Sequence, residues 1–203
     1  MEQEDLLAVR HGLGTYVAPK RVRYATGNLN SLAQQMAAQG LELNTRVLRR
    51  ELVEPHPHVA ELLKTDAGDP VFAVERLRFI GAEPLVYQQS MLQPWLGEAL
   101  DSIDLTGVSL YDHLKDLGVE IARAHEWIQA ISLADHEAIL LETESGAAAL
   151  VSERLTFSAA DEPIVFDRAF MPGDRVSVST SRHISDVSVS YQLQRGGTES
   201  STP

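Results

Sequence analysis

Two β-rich runs of matched length stand side by side in the sequence, Val71 to Ile80 and Pro84 to Leu92, with only Gly81-Ala82-Glu83 between them. So short a gap cannot hold a parallel crossover, which needs a dozen or more residues, so the runs must pair antiparallel as a hairpin. The arrangement returns later as Ala148 to Phe157, a turn at Ala159-Ala160-Asp161-Glu162, and Ile164 to Met171. Two such hairpins commit the chain to an antiparallel sheet. Segments of helical period supply the other layer, expected on one face of that sheet, and the predicted fold class is α+β.

The remaining elements follow from period and punctuation. Leu6 to Arg10 and Gly14 to Val17 read as a small β-hairpin around His11-Gly12-Leu13. From Asn28, the residues Leu29, Leu32, Ala33, Met36 and Ala37 recur at helical spacing up to a stop at Gly40. Thr45 to Val53 reads as a strand and Pro57 to Thr65 as a helix ended by Asp66-Ala67-Gly68-Asp69-Pro70. Ser109 to Leu117 and Asp135 to Glu142 are expected helices; Glu120 to Ile131 and Arg175 to Thr180 are expected strands. The predicted division is a hairpin unit at 1–18, a linker at 19–27, one large domain at 28–190, and a disordered Gly/Ser/Thr-rich tail at 191–203.

The 203 residues suffice for a single hydrophobic core, and an apolar share of 44% is ordinary for a globular protein. No uninterrupted apolar run reaches the ~20 residues of a membrane helix, and no secretory signal opens the chain. Cysteine is absent, which removes disulfides, thiolate metal sites and a Cys nucleophile. A cytoplasmic location is the simplest expectation. The net charge is −12, unevenly spread. Residues 1–23 hold four basic and three acidic side chains, leaving 13 basic against 26 acidic from Tyr24 onward. Such a surface repels a polyanion, so the large domain is not expected to touch DNA.

The first hairpin carries the most informative chemistry. One face of Val71 to Ile80 presents Val71, Ala73, Leu77 and Phe79; the other presents Phe72, Val74 and Ile80 together with Arg76 and Arg78. Both faces are mostly apolar, so the strand should be covered on each side. Two guanidinium groups about 7 Å apart on a covered face need an anion beside them. A three-residue turn sets Gln88 opposite Arg76 and Val86 opposite Arg78. Two readings stand together: a pocket floor that grips carboxylate or phosphate oxygens, or arginines paired internally with acids such as Glu126 or Glu153. Ser109 with Asp112 three residues on has the form of a capping box, or alternatively offers an anion a hydroxyl and helix N–H groups. Arg154 alternates with Leu150, Ser152 and Thr156 and borders either the same cavity or water.

Catalytic and metal signatures are missing. His56-Pro57-His58 is the one close histidine pair, and the proline between them suits a surface turn better than a metal. There is no His-Glu-x-x-His pattern, no Gly-x-Ser-x-Gly elbow and no phosphate loop. Gly12-Leu13-Gly14 lacks the third glycine of a dinucleotide fingerprint, and Asp135 and Glu137 read as a solvated helix face. No catalytic residue, metal or cofactor is expected.

The stretch Val9-Arg10-His11-Gly12-Leu13-Gly14-Thr15-Tyr16-Val17 resembles the wing of the GntR-type winged helix-turn-helix. The remainder resembles the UTRA domain that follows this wing in the HutC subfamily. Carrying that likeness are Met36 to Gly40, Glu75-Arg76-Leu77-Arg78, Glu83-Pro84-Leu85, Ser109-Leu110-Tyr111, Glu153-Arg154-Leu155-Thr156 and Pro172-Gly173-Asp174-Arg175. The resemblance implies a chorismate-lyase-like α+β fold, a homodimer, and a small-molecule effector that resets the spacing of two DNA-binding heads. In relatives that sense phosphorylated amino sugars the matching residues line the ligand site. This implies an effector site at Arg76, Arg78, Ser109 and Tyr111, with Gln88 and Arg154 beside them. Operator DNA would be met by the wing residues Arg10, His11, Gly12, Gly14 and Thr15.

Departures from the family pattern shape the ligand. Leu32-Ala33 stands where a Phe-Thr pair is common, Gln88 replaces an acid, and Val165 and Met171 replace a sugar-contacting acid and tyrosine. An acidic metabolite with a more apolar body is therefore expected in place of an amino-sugar phosphate. Only five residues precede the first wing strand, so the chain as given lacks the helices that read a major groove. It is expected to be a fragment, a chain with a misplaced start, or a free-standing sensor. The competing expectation is a lyase on the same fold, with Arg76 and Arg78 holding substrate carboxylates; the wing-like segment argues against it.

Overall fold

The computed structural model describes residues 7–10, 14–17, 22–25, 32–66, 68–100, 103–106 and 109–179. In chain order the elements are β1 (Leu7–Arg10), β2 (Gly14–Val17), β3 (Val22–Ala25), α1 (Leu32–Ala37), β4 (Leu43–Val53), α2 (Pro57–Leu63), β5 (Val71–Ile80) and β6 (Glu83–Leu92). There follow α3 (Pro94–Leu100), α4 (Leu110–Asp116), β7 (Ile121–Ser132), α5 (Asp135–Leu140), β8 (Ala148–Ser158), β9 (Pro163–Pro172) and β10 (Val176–Ser179). Six strands form one antiparallel sheet in the order β4-β5-β6-β9-β8-β7, so both anticipated hairpins lie in it, joined through β6 and β9.

The β5–β6 hairpin reaches its expected register by an unexpected route. Its turn has two residues, Gly81 and Ala82, with Ile80 opposite Glu83 and Gly81 at a φ of 61° that glycine adopts without strain. A bulge between Arg78 and Phe79 then shifts the pairing by one residue. It sits against Pro84, which has no N–H to give the ladder. Beyond it Arg76 faces Gln88 and Arg78 faces Val86.

Helices cover both faces of the sheet, where one covered face was expected. On the face of Phe72 and Val74, α3 and α4 bury Leu96, Leu100, Leu110 and Leu114, while Met36 of α1 packs against Val86 and Met171. On the opposite face, α2 brings Val59 and Leu63 to Val71, Leu155 and Phe166, and α5 brings Ala138 toward Leu77, Tyr87 and Phe170. The reason lies in β5 itself, whose two faces are both apolar and must both leave water. Helix α3 was not anticipated, and its Gly97 has a low helix propensity. Gly97 is a contact point, since a Cβ there would overlap the Phe72 ring. No helix among the described residues is long and apolar enough to cross a membrane.

The stretch expected as a linker, 19–27, contains more structure than that. Val22–Ala25 pairs in parallel with Val176–Ser179, and Val22 and Tyr24 are buried against the domain while Arg23 faces out. Period-two alternation was hidden there by basic neighbours. β1 and β2 pair antiparallel in the register Leu7↔Val17 to Arg10↔Gly14. The tail 191–203, together with His11 and Gly12, lies outside the described residues.

Candidate functional site

On the α3/α4 side of the sheet, cross-strand pairing aligns polar residues into two adjacent rows. One row runs Ser90, Asp167, Arg154 and Glu126 across β6, β9, β8 and β7. The next runs Arg76, Gln88, Ala169 and Ser152 across β5, β6, β9 and β8. Arg78 stands two residues along β5 from Arg76 on the same face. α4 lies over this band, with Ser109, Leu110 and Tyr111 facing it, and β3 closes one side with Tyr24. Between them is a cavity of about 40 Å³, room for a few water-sized groups. All six residues expected at an effector site, Arg76, Arg78, Gln88, Ser109, Tyr111 and Arg154, lie on its wall.

The arginines fall into two electrostatic classes. Arg76 is 1% exposed and Arg78 5% exposed. Arg76 donates from Nη2 to Ser90 Oγ at 2.9 Å, whereas its Nε and Nη1 and the Nε of Arg78 are buried without a partner. Among the described residues no carboxylate comes within ion-pair distance of either. Burial, reinforced by the like charge of Arg76 and only partly offset by Asp167, pushes the Arg78 guanidinium down to about 9. Burial lowers Arg76 as well, against the pull of Asp167. Arg78 stays cationic at neutral pH, at a free-energy cost that an arriving anion would relieve.

Arg154 follows the internal-pairing alternative. Its Nη2 meets Glu126 Oε1 at 3.1 Å and Tyr24 Oη at 2.6 Å. Burial works against its charge, but the combined attraction of Tyr24, Glu126, Tyr111 and Asp167 outweighs that and leaves it a firmer cation than a free arginine. The pairing with Glu126 considered for Arg76 and Arg78 thus belongs to Arg154, and Glu153 pairs with Arg168 at 3.1 Å.

Asp167 is the hub that the sequence reading missed. Its Oδ1 accepts from Gln88 Nε2 at 2.8 Å and Ser90 Oγ at 2.5 Å, and its Oδ2 from Tyr111 Oη at 2.5 Å. Neutral donors therefore occupy both oxygens, which is why a carboxylate so close does not cap the arginines. Burial and the Asp167 charge raise the Tyr111 hydroxyl well above its usual range, so it remains a donor. Its oxygen also lies 2.9 Å from Thr156 Oγ1. Ser109 caps α4, its Oγ accepting from Tyr111 N at 3.2 Å, and still forms part of the wall. Tyr24 was missed too; it donates to Glu126 Oε1 at 2.5 Å, and Ser152 donates to the same oxygen at 2.6 Å. Asp167 could have been found, because the second hairpin sets it opposite Arg154. For Tyr24 the one available signal was the short alternation Val22-Arg23-Tyr24 inside the stretch expected as a linker.

Comparison with known proteins agrees with this architecture. The UTRA domain family matches residues 38–177. The HTH-type transcriptional repressor NagR of Bacillus subtilis is 23% identical over 173 residues, which cover 85% of this chain and 71% of that protein. The histidine utilization repressor of Pseudomonas putida is 24% identical over 172 residues, 85% of this chain and 68% of its own. The chain spans about half of the Escherichia coli regulator GgaR, at 51% of its length. Among solved structures, PhnF from Mycobacterium smegmatis superposes with a TM-score of 0.78 at 22% identity, covering 88% of this chain and 79% of that one. The relatives bear the names of transcriptional regulators, which removes the lyase alternative. The chain belongs to the UTRA domain family, as an effector-binding regulatory domain shared with relatives named as transcriptional regulators and repressors, and is not an enzyme.

Proposed function

We propose that this domain senses a small anionic metabolite in the bacterial cytoplasm and transmits its presence to operator DNA by changing the geometry of a homodimer. One observation carries the anion: two buried guanidinium groups face a cavity with nitrogen donors unpartnered and, among the described residues, no carboxylate in contact. An oxyanion with paired acceptor oxygens suits such donors, because charge-assisted bonds to a fork of N–H groups are strong and directional. Gln88, Ser109, Tyr111 and Arg154 complete the effector site in this reading.

The hairpin within residues 1–18 corresponds to the wing, meeting DNA through Arg10, His11, Gly12, Gly14 and Thr15 where the rest of a winged helix-turn-helix is present. Residues 19–27 lead from it into the sensor at 28–190, with their strand Val22–Ala25 already packed on that domain. Repression follows the pattern of the named relatives. The effector shifts the equilibrium between two dimer geometries only by the difference in its affinity for them.

Thermal unfolding with and without inorganic sulfate tests the anion site. A hundredfold excess over Kd stabilises by about 2.7 kcal/mol, an upward shift in Tm of about 5 °C or more for a domain of this size. Arg76→Ala abolishes that shift while leaving a cooperative transition. An undiminished shift in the variant would refute the assignment.

A further inference from the structure

The cavity at the arginine pair is too small for a whole organic effector. At about 40 Å³ it takes an oxyanion head and little more. Two of its sides are filled. Leu92, Val165 and Leu110 belong to a buried cluster at one end of the polar band, and Met36, Val86 and Met171 to another at the opposite end. A third side is different. Tyr111 and Arg154 also line a second cavity, of about 270 Å³, between α4 and the start of β7. The two spaces are neighbours across these two side chains, and together they approach the ~300 Å³ at which small-molecule sites begin.

We propose that the effector spans both cavities, its oxyanion head on Arg76 and Arg78 and an uncharged, flat, ring-sized body beyond Tyr111 and Arg154. This rests on the anion-site reading above. The chemistry of the second cavity defines the body. Val119 and Ile121 are partly buried aliphatic residues on its wall, and the Tyr111 ring and Arg154 guanidinium add planar surfaces suited to stacking. Its remaining charges, Lys115 against Asp112 and Glu120, leave a net negative wall that repels a second anionic group, and Arg154 is already paired with Glu126. A second negative charge on the ligand would find no free cationic partner there. Entry of the body displaces neither Arg76 nor Arg78, so head and body contribute separately to affinity.

Separate contributions can be measured by titration calorimetry with two probes, inorganic phosphate as bare head and phenyl phosphate as head plus ring. In the unaltered chain phenyl phosphate binds about tenfold or more tighter, the effect of burying an aromatic ring. Ile121→Trp fills the second cavity and reduces phenyl phosphate to the affinity of phosphate, with phosphate itself unchanged. Gln34→Trp, at an exposed α1 position on the same cavity, gives the same loss and serves if Ile121→Trp does not fold. Equal binding of the two probes by the unaltered chain, or a ring preference surviving in the folded tryptophan variants, overturns the two-cavity arrangement. Arg76→Ala separates the levels. Loss of both probes there, with no effect of either tryptophan, removes the second cavity alone, whereas phosphate binding indifferent to Arg76→Ala removes the anion site and everything built on it.

Discussion

The two sides of the sheet carry charge in opposite ways. On the α2/α5 side, a row crosses all six strands as Arg49, Glu75, Gln89, Arg168, Glu153 and Trp127. Its cations are half exposed and each meets a carboxylate, Arg49 with Glu75 at 3.5 Å and Arg168 with Glu153 at 3.1 Å. On the α3/α4 side, Arg76 and Arg78 are buried with free donors, and the nearest acid is occupied by neutral hydroxyl and amide groups. The same residue types on neighbouring strand positions therefore do different things. Arginine in a strand signals nothing by itself; burial without an acidic partner does.

The largest expected effect comes from Asp167. Asp167→Ala strips the only carboxylate among the described residues that acts on both buried arginines, and takes an acceptor from Gln88, Ser90 and Tyr111, a loss of about 3–5 kcal/mol in denaturant unfolding. A loss below 1 kcal/mol would erase the distinction between the two sides. Next is Arg76→Met, which removes a buried charge while keeping volume. Unliganded stability rises by about 1–3 kcal/mol, and the response to sulfate disappears. A destabilised variant would mean that the protein itself already neutralises Arg76.

A pH series sharpens the same point. Arg78 has a folded pKa of about 9, below its ordinary value, so the cost of its buried charge is fully present below pH 9 and fades as pH rises through that value. Sulfate keeps its charge over this range, and its stabilising effect stays level from pH 7 to 8, then declines above about 9; a flat profile to pH 10 excludes Arg78 from the site. The smallest effect belongs to the other side. Arg168→Ala costs less than about 1 kcal/mol, and that cost shrinks further in high salt because the pair is partly exposed and screened.

How much of this was readable in advance depends on the kind of force involved. The pairing of Arg76 with Gln88 was legible because a short turn leaves few registers, and the bulge at Pro84 restored the register that a longer turn would have produced. The apolar faces of β5 were legible, but not that both would recruit helices. α3 was hidden because it is a single short helix with Gly97 in its interior, although Pro94 suits its first position, and only the approach to Phe72 explains why a glycine belongs there. Within the site, residues near a recognisable hairpin could be assigned to its wall, while Tyr24 reaches Glu126 from 102 positions away in the chain. Periodicity has no access to contacts of that span. The fate of Arg154 was equally closed, because whether a cation finds Glu126 is decided by the neighbouring strand.

The parallel pairing of Val22–Ala25 with Val176–Ser179 has a mechanical consequence. Because the pair is parallel, the start of the earlier strand at Val22 and the end of the later one at Ser179 lie at opposite ends of the ribbon, and the N-terminal segment is clamped lengthwise along the last described strand. Tyr24 sits on that clamp with its hydroxyl on Glu126 and Arg154. The clamp and the wall of the cavity therefore share one side chain.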